Sequence, residues 1–378
     1  MTKLLYLVNV DWFFISHRLP IALKAKEAGY EVHIACNFTD HYESLSNMGF
    51  VLHPISFDRS GSGLLHELKT LQSIRRVFKR IQPDLVHAVT IKPVLYGGIA
   101  ARTTGVKSMV FAVSGLGLVF VAEGAAAKFR RWLISRMYQF AINVKNSKVI
   151  FQNPVDKKVL KQAVRLPDSR CEMIRGSGAD LTTYSVQPEP EAISVVMAAR
   201  LLKEKGVYQF VDAARILKQR GLAVTFKLVG EPDPGNPNTV TQRELELWRN
   251  EGCVELLGFR QDVHQVFAQS NIVVLPSFYG EGLPKVLIEA AACGRAVVTT
   301  DNPGCLEAIE LNQTGFAVPI KDAIALADAI ERLVINSELR GQFGNAGRLL
   351  AEREFDVNSV VKKHLAIYDE VLKGASIE

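Results

Sequence analysis

Short runs of β-branched and apolar residues alternate with longer amphipathic stretches along the whole chain, and this alternation leaves few folds open. In the first half the runs are KLLYLVNV, EVHIAC, LVHAV, SMVFAV and KVIFQN; in the second they are ISVVMAA, VTFKLVG, VELLGF, NIVVLP and AVVTT. Helical periodicity lies between them, for example in HRLPIALKAKEAG and YQFVDAARILKQRG. Strand then helix, repeated, closes as a parallel sheet with helices on both faces. Two such series predict an α/β protein with two doubly wound, Rossmann-like domains. The segment SVQPEPEA, residues 185–192, is rich in Pro and Glu, has no periodicity and precedes a fresh strand, so it reads as a linker. The domains are then 1–184 and 193–355. A tail over 356–378 places Val357, Val360, Val361, Leu365, Ile367, Tyr368 and Leu372 near one face and predicts a terminal helix.

With 378 residues, 48% of them hydrophobic, the chain holds enough apolar material for two cores. Charged residues make up 22%, and no low-complexity tract or repeat of 20–50 residues is present, which excludes disordered and solenoid classes. Cys36, Cys171, Cys253, Cys293 and Cys305 are odd in number and lack the close spacing of zinc or redox motifs, so they read as small buried hydrophobes in a reducing compartment. The start, MTKLLYLVNVDWFF, is too short and too polar for a signal peptide or spanning helix, which places the chain in the cytoplasm. Charge is unevenly spread: residues 1–190 carry 25 Lys and Arg against 14 Asp and Glu, and the remainder 20 against 25. A basic first half is compatible with nucleic acid, anionic lipid or an acidic substrate.

Open parallel sheets bind ligands at the carboxyl ends of their strands, so two sheets facing each other predict a cleft that carries the chemistry. Three segments of the second half fall at such ends. In AARLLKEKGVYQF, Arg200 follows a strand and Lys205 precedes Gly206 and a helix, a placement that suits a diphosphate although a solvated Lys/Arg pair would look the same. In SFYGEGLPKVLIEAAACG, Gly280 and Gly282 allow a tight turn and Pro284 suits a first helical turn, so the helix starts near Leu283. Glu281 then lies in the loop and Glu289 about one and a half turns inside, positions fit for two ends of one extended ligand. In TTDNPGCLEAI, the turn at Asp301 to Gly304 aims another helix start at the same place. Each turn alone is an ordinary βα loop; the three in this order point to an anion site.

These residues resemble the donor half of the retaining GT-B glycosyltransferases of family 4 (GT4). Their signature is a pair of glutamates with seven residues between them, here Glu281 and Glu289. The pair Arg200 and Lys205, the strand end at Gly230, the LGFRQDV segment with Arg260, and the PGCLEAI turn with Gly304 stand in the family's order. The resemblance implies the GT-B fold, with the terminal helix crossing back to the first domain. It further implies that Arg200 and Lys205 hold the diphosphate of a UDP-sugar and that Glu289 binds the ribose. Glu281 with the backbone of Gly282 and Leu283 would hold the transferred sugar, and the base would pack near Arg260. Catalysis without a metal is implied, and no DxD-type motif is present in the sequence.

In the first half, WFFISHRLPIAL puts His17 and Arg18 after the first strand at a helix start; KPVLYGG with Lys92 and SGLGLVF with Ser114, Gly115 and Gly117 follow later strands. These segments are similar to the GT4 subgroup of PglA-like, capsule and O-antigen transferases, which act on lipid-linked glycans. The resemblance implies a polyprenyl-diphosphate-linked acceptor. Many relatives have a histidine where this chain has Ser114, which leaves His17, Lys92 or the donor phosphate to handle the proton. The stretch 127–148 interleaves Trp132 and other large apolar residues with Arg130, Arg131 and Arg136, a pattern that fits an anionic membrane surface as well as a helix with a solvated basic face. A basic first half and a second basic stretch, LKTLQSIRRVFKR, favour the membrane, on the inner face of the cytoplasmic membrane.

The resulting expectation is a retaining hexosyltransferase that moves a hexose or N-acetylhexosamine from a UDP-sugar to a polyprenyl-diphosphate-linked saccharide in surface-polysaccharide or glycan assembly. The alternatives are a GT-B enzyme with a soluble acceptor and a UDP-sugar epimerase. Nucleic acid is excluded as a partner, since no helix-turn-helix, RRM or zinc pattern accompanies the basic residues. The segment EPDPGNPNTVTQRELE, residues 231–246, reads as a Pro- and Asn-rich loop long enough to serve as a lid.

Overall fold

The computed structural model describes residues 1–57, 63–115, 125–233, 235–278 and 280–376. The chain forms two compact units, Met1–Ser177 together with Asn358–Glu378, and Gly178–Val357. The first unit is built on seven strands: β1 (Lys3–Val10), β2 (Glu31–Asn37), β3 (Val51–Pro54), β4 (Leu85–Val89), β5 (Ser108–Val113), β6 (Asn146–Phe151) and β7 (Cys171–Met173). The second has six: β8 (Ser194–Ala198), β9 (Thr225–Val229), β10 (Glu255–Gly258), β11 (Ile272–Leu275), β12 (Ala296–Thr300) and β13 (Gly315–Val318). Both sheets are parallel, in the orders β3-β2-β1-β4-β5-β6-β7 and β10-β9-β8-β11-β12-β13. Counted within each unit this is the doubly wound order 3-2-1-4-5-6, extended by one edge strand in the first. The direction of winding reverses between β1 and β4, and between β8 and β11. Those two points are where such sheets leave a crevice for a ligand.

The central strands are apolar without alternation because helices cover both faces. All five residues of LVHAV in β4 and of SVVMA in β8 are buried. The strands β3, β7 and β13 were not expected from the sequence. They are three or four residues long, and VLHP, CEM and GFAV carry no run long enough to register as periodic.

The terminal helix Val357–Ser376 belongs to the first unit from Asn358 onward. It buries Val360, Val361, His364, Ile367, Tyr368 and Val371. The Tyr368 hydroxyl lies 3.1 Å from that of Tyr6 on β1 and 2.6 Å from Nδ1 of His87 on β4, so the helix is registered on the sheet by polar contacts as well as apolar ones. The stretch 185–192 carries neither helix nor strand, in keeping with its Pro and Glu content, yet it is anchored rather than loose. Glu189 pairs with Arg340 at 2.7 Å, and Arg295 donates to the Gln187 carbonyl at 2.9 Å. The units divide upstream of it, between Ser177 and Gly178. Composition signals absence of regular structure there; it does not signal absence of contacts.

Candidate functional site

The reversal point of the second sheet gathers most of the predicted residues. β8 runs out at Ala198 and leads to Arg200 and Lys205; β11 runs out at Leu275 and leads to Ser277 and Glu281. Lys205 Nζ lies 2.5 Å from Glu281 Oε1, which also accepts a hydrogen bond from the Ser277 hydroxyl at 2.8 Å. The two side chains are 17% and 12% exposed, so the pair is largely desolvated. The backbone fixes the same junction, with Phe278 N–H donating to the Glu204 carbonyl at 3.0 Å. From the next strand, the turn at Gly304 lies flat on this loop: a Cβ there would collide with the carbonyl oxygens of Glu281 and Gly282, so only glycine fits. The segment after Asn302 starts the expected helix, Pro303–Leu306, which is a single turn with little macrodipole; its visible contribution is this close approach.

Glu289 sits on the helix Lys285–Ala292, with Pro284 capping it rather than forming its first turn as expected. The helix therefore starts two residues later than Leu283, and Glu289 is its fifth residue. The carboxylate is buried, accepts the Tyr184 hydroxyl at 2.8 Å and lies 3.4 Å from Lys285 Nζ. Burial pushes its pKa above the ordinary carboxylate value, against the opposing pull of Lys285 and Tyr184. The two signature glutamates are thus held by different partners, Glu281 by Lys205 and Ser277, Glu289 by Tyr184 and Lys285. They do not form an acid/base dyad.

Arg200 meets a carboxylate other than Glu281. Its Nη1 lies 2.8 Å from Asp233 Oδ2, with the arginine side chain 45% exposed and the aspartate 14%. Gly230, at the end of β9, has φ +133° and a backbone so close to the Ala199 carbonyl that a Cβ would overlap it. Beside it is a cavity of about 770 Å³ whose lining includes Leu201, Gly230, Leu256 and Gly258. Arg260 lies in the following segment and is held by Asp262 at 2.6 Å. The loop expected to be a lid is tied down: Leu201 N–H donates to the Glu231 carbonyl at 3.0 Å and Val240 N–H to the Leu201 carbonyl at 2.8 Å. Its second part is the helix Gln242–Glu251, started by a capping box of Thr241 and Glu244. That Thr-x-x-Glu spacing was a legible helix signal. Ser277, Tyr184 and Asp233 were missed, because a hydroxyl or carboxylate outside a motif says nothing of which distant cation it will meet.

In the first unit, β1 leads directly into the helix Asp11–His17, so His17 ends one helix and, with Arg18 as the N-cap, stands at the start of the next, Leu19–Glu27, as expected. Its ring stacks on Phe13 with centroids 4.1 Å apart. Arg18 is 2% exposed and donates to the His17 carbonyl at 2.8 Å. After β4, Thr90 adopts φ 75° and ψ 170°, a region almost reserved for glycine. It precedes the helix Ile91–Thr104, on which Lys92 lies 2.7 Å from Glu67 Oε1 while Tyr96 donates to the other oxygen at 2.7 Å. Burial would raise the Glu67 carboxyl, but these two hydrogen bonds prevail and hold it below its ordinary value. Ser114 and Gly115 follow β5, Gly115 with φ 103°; Gly117 lies outside the described residues. On the helix Ala125–Ile142, Trp132 is 55% exposed and Arg136 lies over its ring at 5.9 Å. Arg131 is half-buried, and the Arg130 side chain lies outside the description. Cys36, Cys171, Cys293 and Cys305 are buried as small core residues and Cys253 is half-buried; burial raises all five thiols, Cys293 and Cys305 to about 12.

Two doubly wound parallel sheets, one in each unit, are the architecture of the GT-B glycosyltransferases. The chain belongs to that family: residues 185–350 match the family described as glycosyl transferases group 1 and residues 3–153 the one described as glycosyl transferase 4-like. It is 28% identical to the N,N'-diacetylbacillosaminyl-diphospho-undecaprenol alpha-1,3-N-acetylgalactosaminyltransferase of Campylobacter jejuni, across 96% of this chain and 99% of that one. It is 25% identical to the UDP-Gal:alpha-D-GlcNAc-diphosphoundecaprenol alpha-1,3-galactosyltransferase of Escherichia coli, across 71% of each. Among solved structures, Anabaena HepE in complex with UDP and glucose superposes with a TM-score of 0.76 at 20% identity, covering 98% of this chain and 100% of that one.

Proposed function

We propose that this glycosyltransferase moves a hexose or N-acetylhexosamine from a UDP-sugar to a saccharide carried on a polyprenyl diphosphate, in the assembly of a surface polysaccharide or glycan. The observation that carries the reading is the meeting of Lys205 and Glu281, 76 residues apart in sequence, at the reversal point of the second sheet. The relatives' named substrates supply the chemical classes. Arg200 and Lys205 would take the diphosphate and Glu289 the ribose diol. Glu281, with the backbone at Gly282, Leu283 and Gly304, would take the sugar. The cavity beside Gly230 and Gly258, within the volume range of ligand pockets, would receive the base near Arg260. His17 and Lys92, with the turn at Ser114 and Gly115, are the proposed acceptor-side groups.

In the proposed reaction the bond from the sugar's anomeric carbon to the diphosphate breaks, and a bond to the acceptor oxygen forms on the same face. The acceptor's proton passes to the departing UDP. Lys205 and Arg200 would stabilise the charge that grows on that phosphate, the task a divalent ion performs elsewhere. Transfer should therefore persist in EDTA with the anomeric configuration retained. The test is transfer from a panel of UDP-sugars to a polyprenyl-diphosphate-linked acceptor, with Glu289→Ala in parallel. A variant with wild-type transfer and donor affinity would overturn the site assignment. Conversion of UDP-sugar to an isomer without acceptor would select an epimerase.

Peripheral attachment to the inner face of the cytoplasmic membrane is part of the proposal. No helix among the described residues is long and apolar enough to cross a membrane. Exposed Trp132, Leu133 and Phe140, set among Arg131 and Arg136, support a surface that rests on anionic lipid.

A further inference from the structure

Residues 231–233 and 235–240 contribute Glu231, Pro232, Thr239 and Val240 to the lining of the cavity proposed for the base, and they are also tied to the very loop that carries Arg200 and Lys205. Besides the two bonds at Leu201, Lys203 N–H donates to the Asn238 carbonyl at 2.9 Å, and Leu202 and Thr239 form an antiparallel bridge. Thr239 Oγ1 accepts the Asp233 N–H at 2.7 Å and reaches the Leu201 carbonyl at 3.4 Å. Each of these bonds fixes Asp233 relative to the backbone of Arg200. The aspartate is the better buried member of the ion pair and the arginine the more exposed one.

An Arg–Asp pair whose arginine is exposed adds little stability. Its physical effect is elsewhere. A free arginine loses rotamer freedom when it binds a phosphate, and one already held in place has lost it beforehand. A carboxylate beside an anion site also works against the anion through its charge. The pair is therefore useful to a diphosphate site only through orientation, and hydrogen bonding rather than charge is what must be kept.

We propose that Asp233 is a positioning residue, which with the strap formed by residues 231–233 and 235–240 pre-orients the Arg200 guanidinium for the diphosphate of the donor. The inference rests on the proposed donor site. It separates two consequences of one side chain: the hydrogen bond that places Arg200, and the charge that opposes the ligand.

The test is calorimetric titration of the full chain with UDP, comparing Arg200→Ala, Asp233→Ala and Asp233→Asn, with melting temperature measured without ligand. Arg200→Ala should weaken UDP binding. Asp233→Ala should weaken it roughly 3–10-fold, the range set by immobilising one long side chain. Asp233→Asn keeps an acceptor for Arg200 and drops the charge, so it should bind UDP as tightly as the wild type or more tightly. Melting without UDP should shift little in either Asp233 variant. Should Arg200→Ala lose affinity and Asp233→Ala keep it, the positioning role is wrong while the donor site stands. Equal weakening by both Asp233 variants with a matching loss of melting temperature would reduce the strap to scaffolding and overturn the inference. Wild-type UDP binding by Arg200→Ala would overturn the inference and the donor assignment of Arg200 together.

Discussion

Removing both partners of the Lys205–Glu281 pair should cost far less than the sum of removing each alone. The perturbation is Lys205→Met, Glu281→Leu and the double variant, all nearly apolar replacements. A fully buried pair that loses one member leaves an uncompensated charge and costs about 3–5 kcal/mol, whereas an exposed pair is worth about 0–1 kcal/mol. With side chains 17% and 12% exposed, this pair lies nearer the buried limit, at about 2–4 kcal/mol for each single change. Lys205→Met should fall at the lower end, because the stranded Glu281 keeps the Ser277 hydroxyl at 2.8 Å. The double variant leaves no stranded charge and should recover about 2–3 kcal/mol relative to the sum of the singles. Scanning calorimetry reads this as a drop of roughly 4–16 °C in the second unit's transition for each single variant, at about 2–4 °C per kcal/mol for a body of its size. None of the three should bind UDP well, so stability and binding part company in the double variant. Additive singles, with coupling below about 0.5 kcal/mol, would refute the argument that this pair is desolvated and acts as one unit.

Glu289→Gln should abolish donor binding by calorimetry while leaving the protein at least as stable as the wild type at neutral pH. The carboxyl's pKa is raised by burial, so the ionised form costs stability above that raised value; the advantage of the variant should shrink as pH falls through it and vanish below the ordinary 4.5. A variant that melts well below the wild type at pH 7 would contradict this sign. Gly304→Ala must displace the carbonyls of Glu281 and Gly282 and should lower both melting temperature and UDP affinity, where an ordinary exposed turn glycine would lower neither. Trp132→Ser combined with Arg136→Glu should abolish sedimentation with vesicles of anionic lipid and leave UDP binding unchanged; retained sedimentation would move the lipid contact elsewhere. Saturating EDTA should leave the rate of sugar transfer unaltered, and loss of transfer restored by Mg²⁺ would end the metal-free reading.

The parts of this fold that were legible are those coded by local periodicity. Ten of the strands announce themselves because buried parallel strands are apolar along their length; β3, β7 and β13 are short and lie toward the sheet margins, where nothing in four residues separates a strand from a loop. The same limit governs the site. Glycine, proline and strand ends disclosed where the chain turns at Gly230 and Gly304, since backbone geometry leaves few residues able to stand there. Pairing was not disclosed, because an ion pair depends on where two distant loops end. Arg200 and Lys205 read as two like cations gripping one anion, yet in the fold each has its own carboxylate, Asp233 and Glu281. That difference has a chemical meaning. Two neighbouring cations left unpaired would repel each other and hold their side chains loosely, whereas two pairs keep each cation at a set place. Under the proposed function a diphosphate would meet positive groups whose positions are already chosen, without first having to gather mobile side chains. The second signature glutamate stands apart from both pairs, because Glu289 is held by Tyr184 and by Lys285 of its own helix.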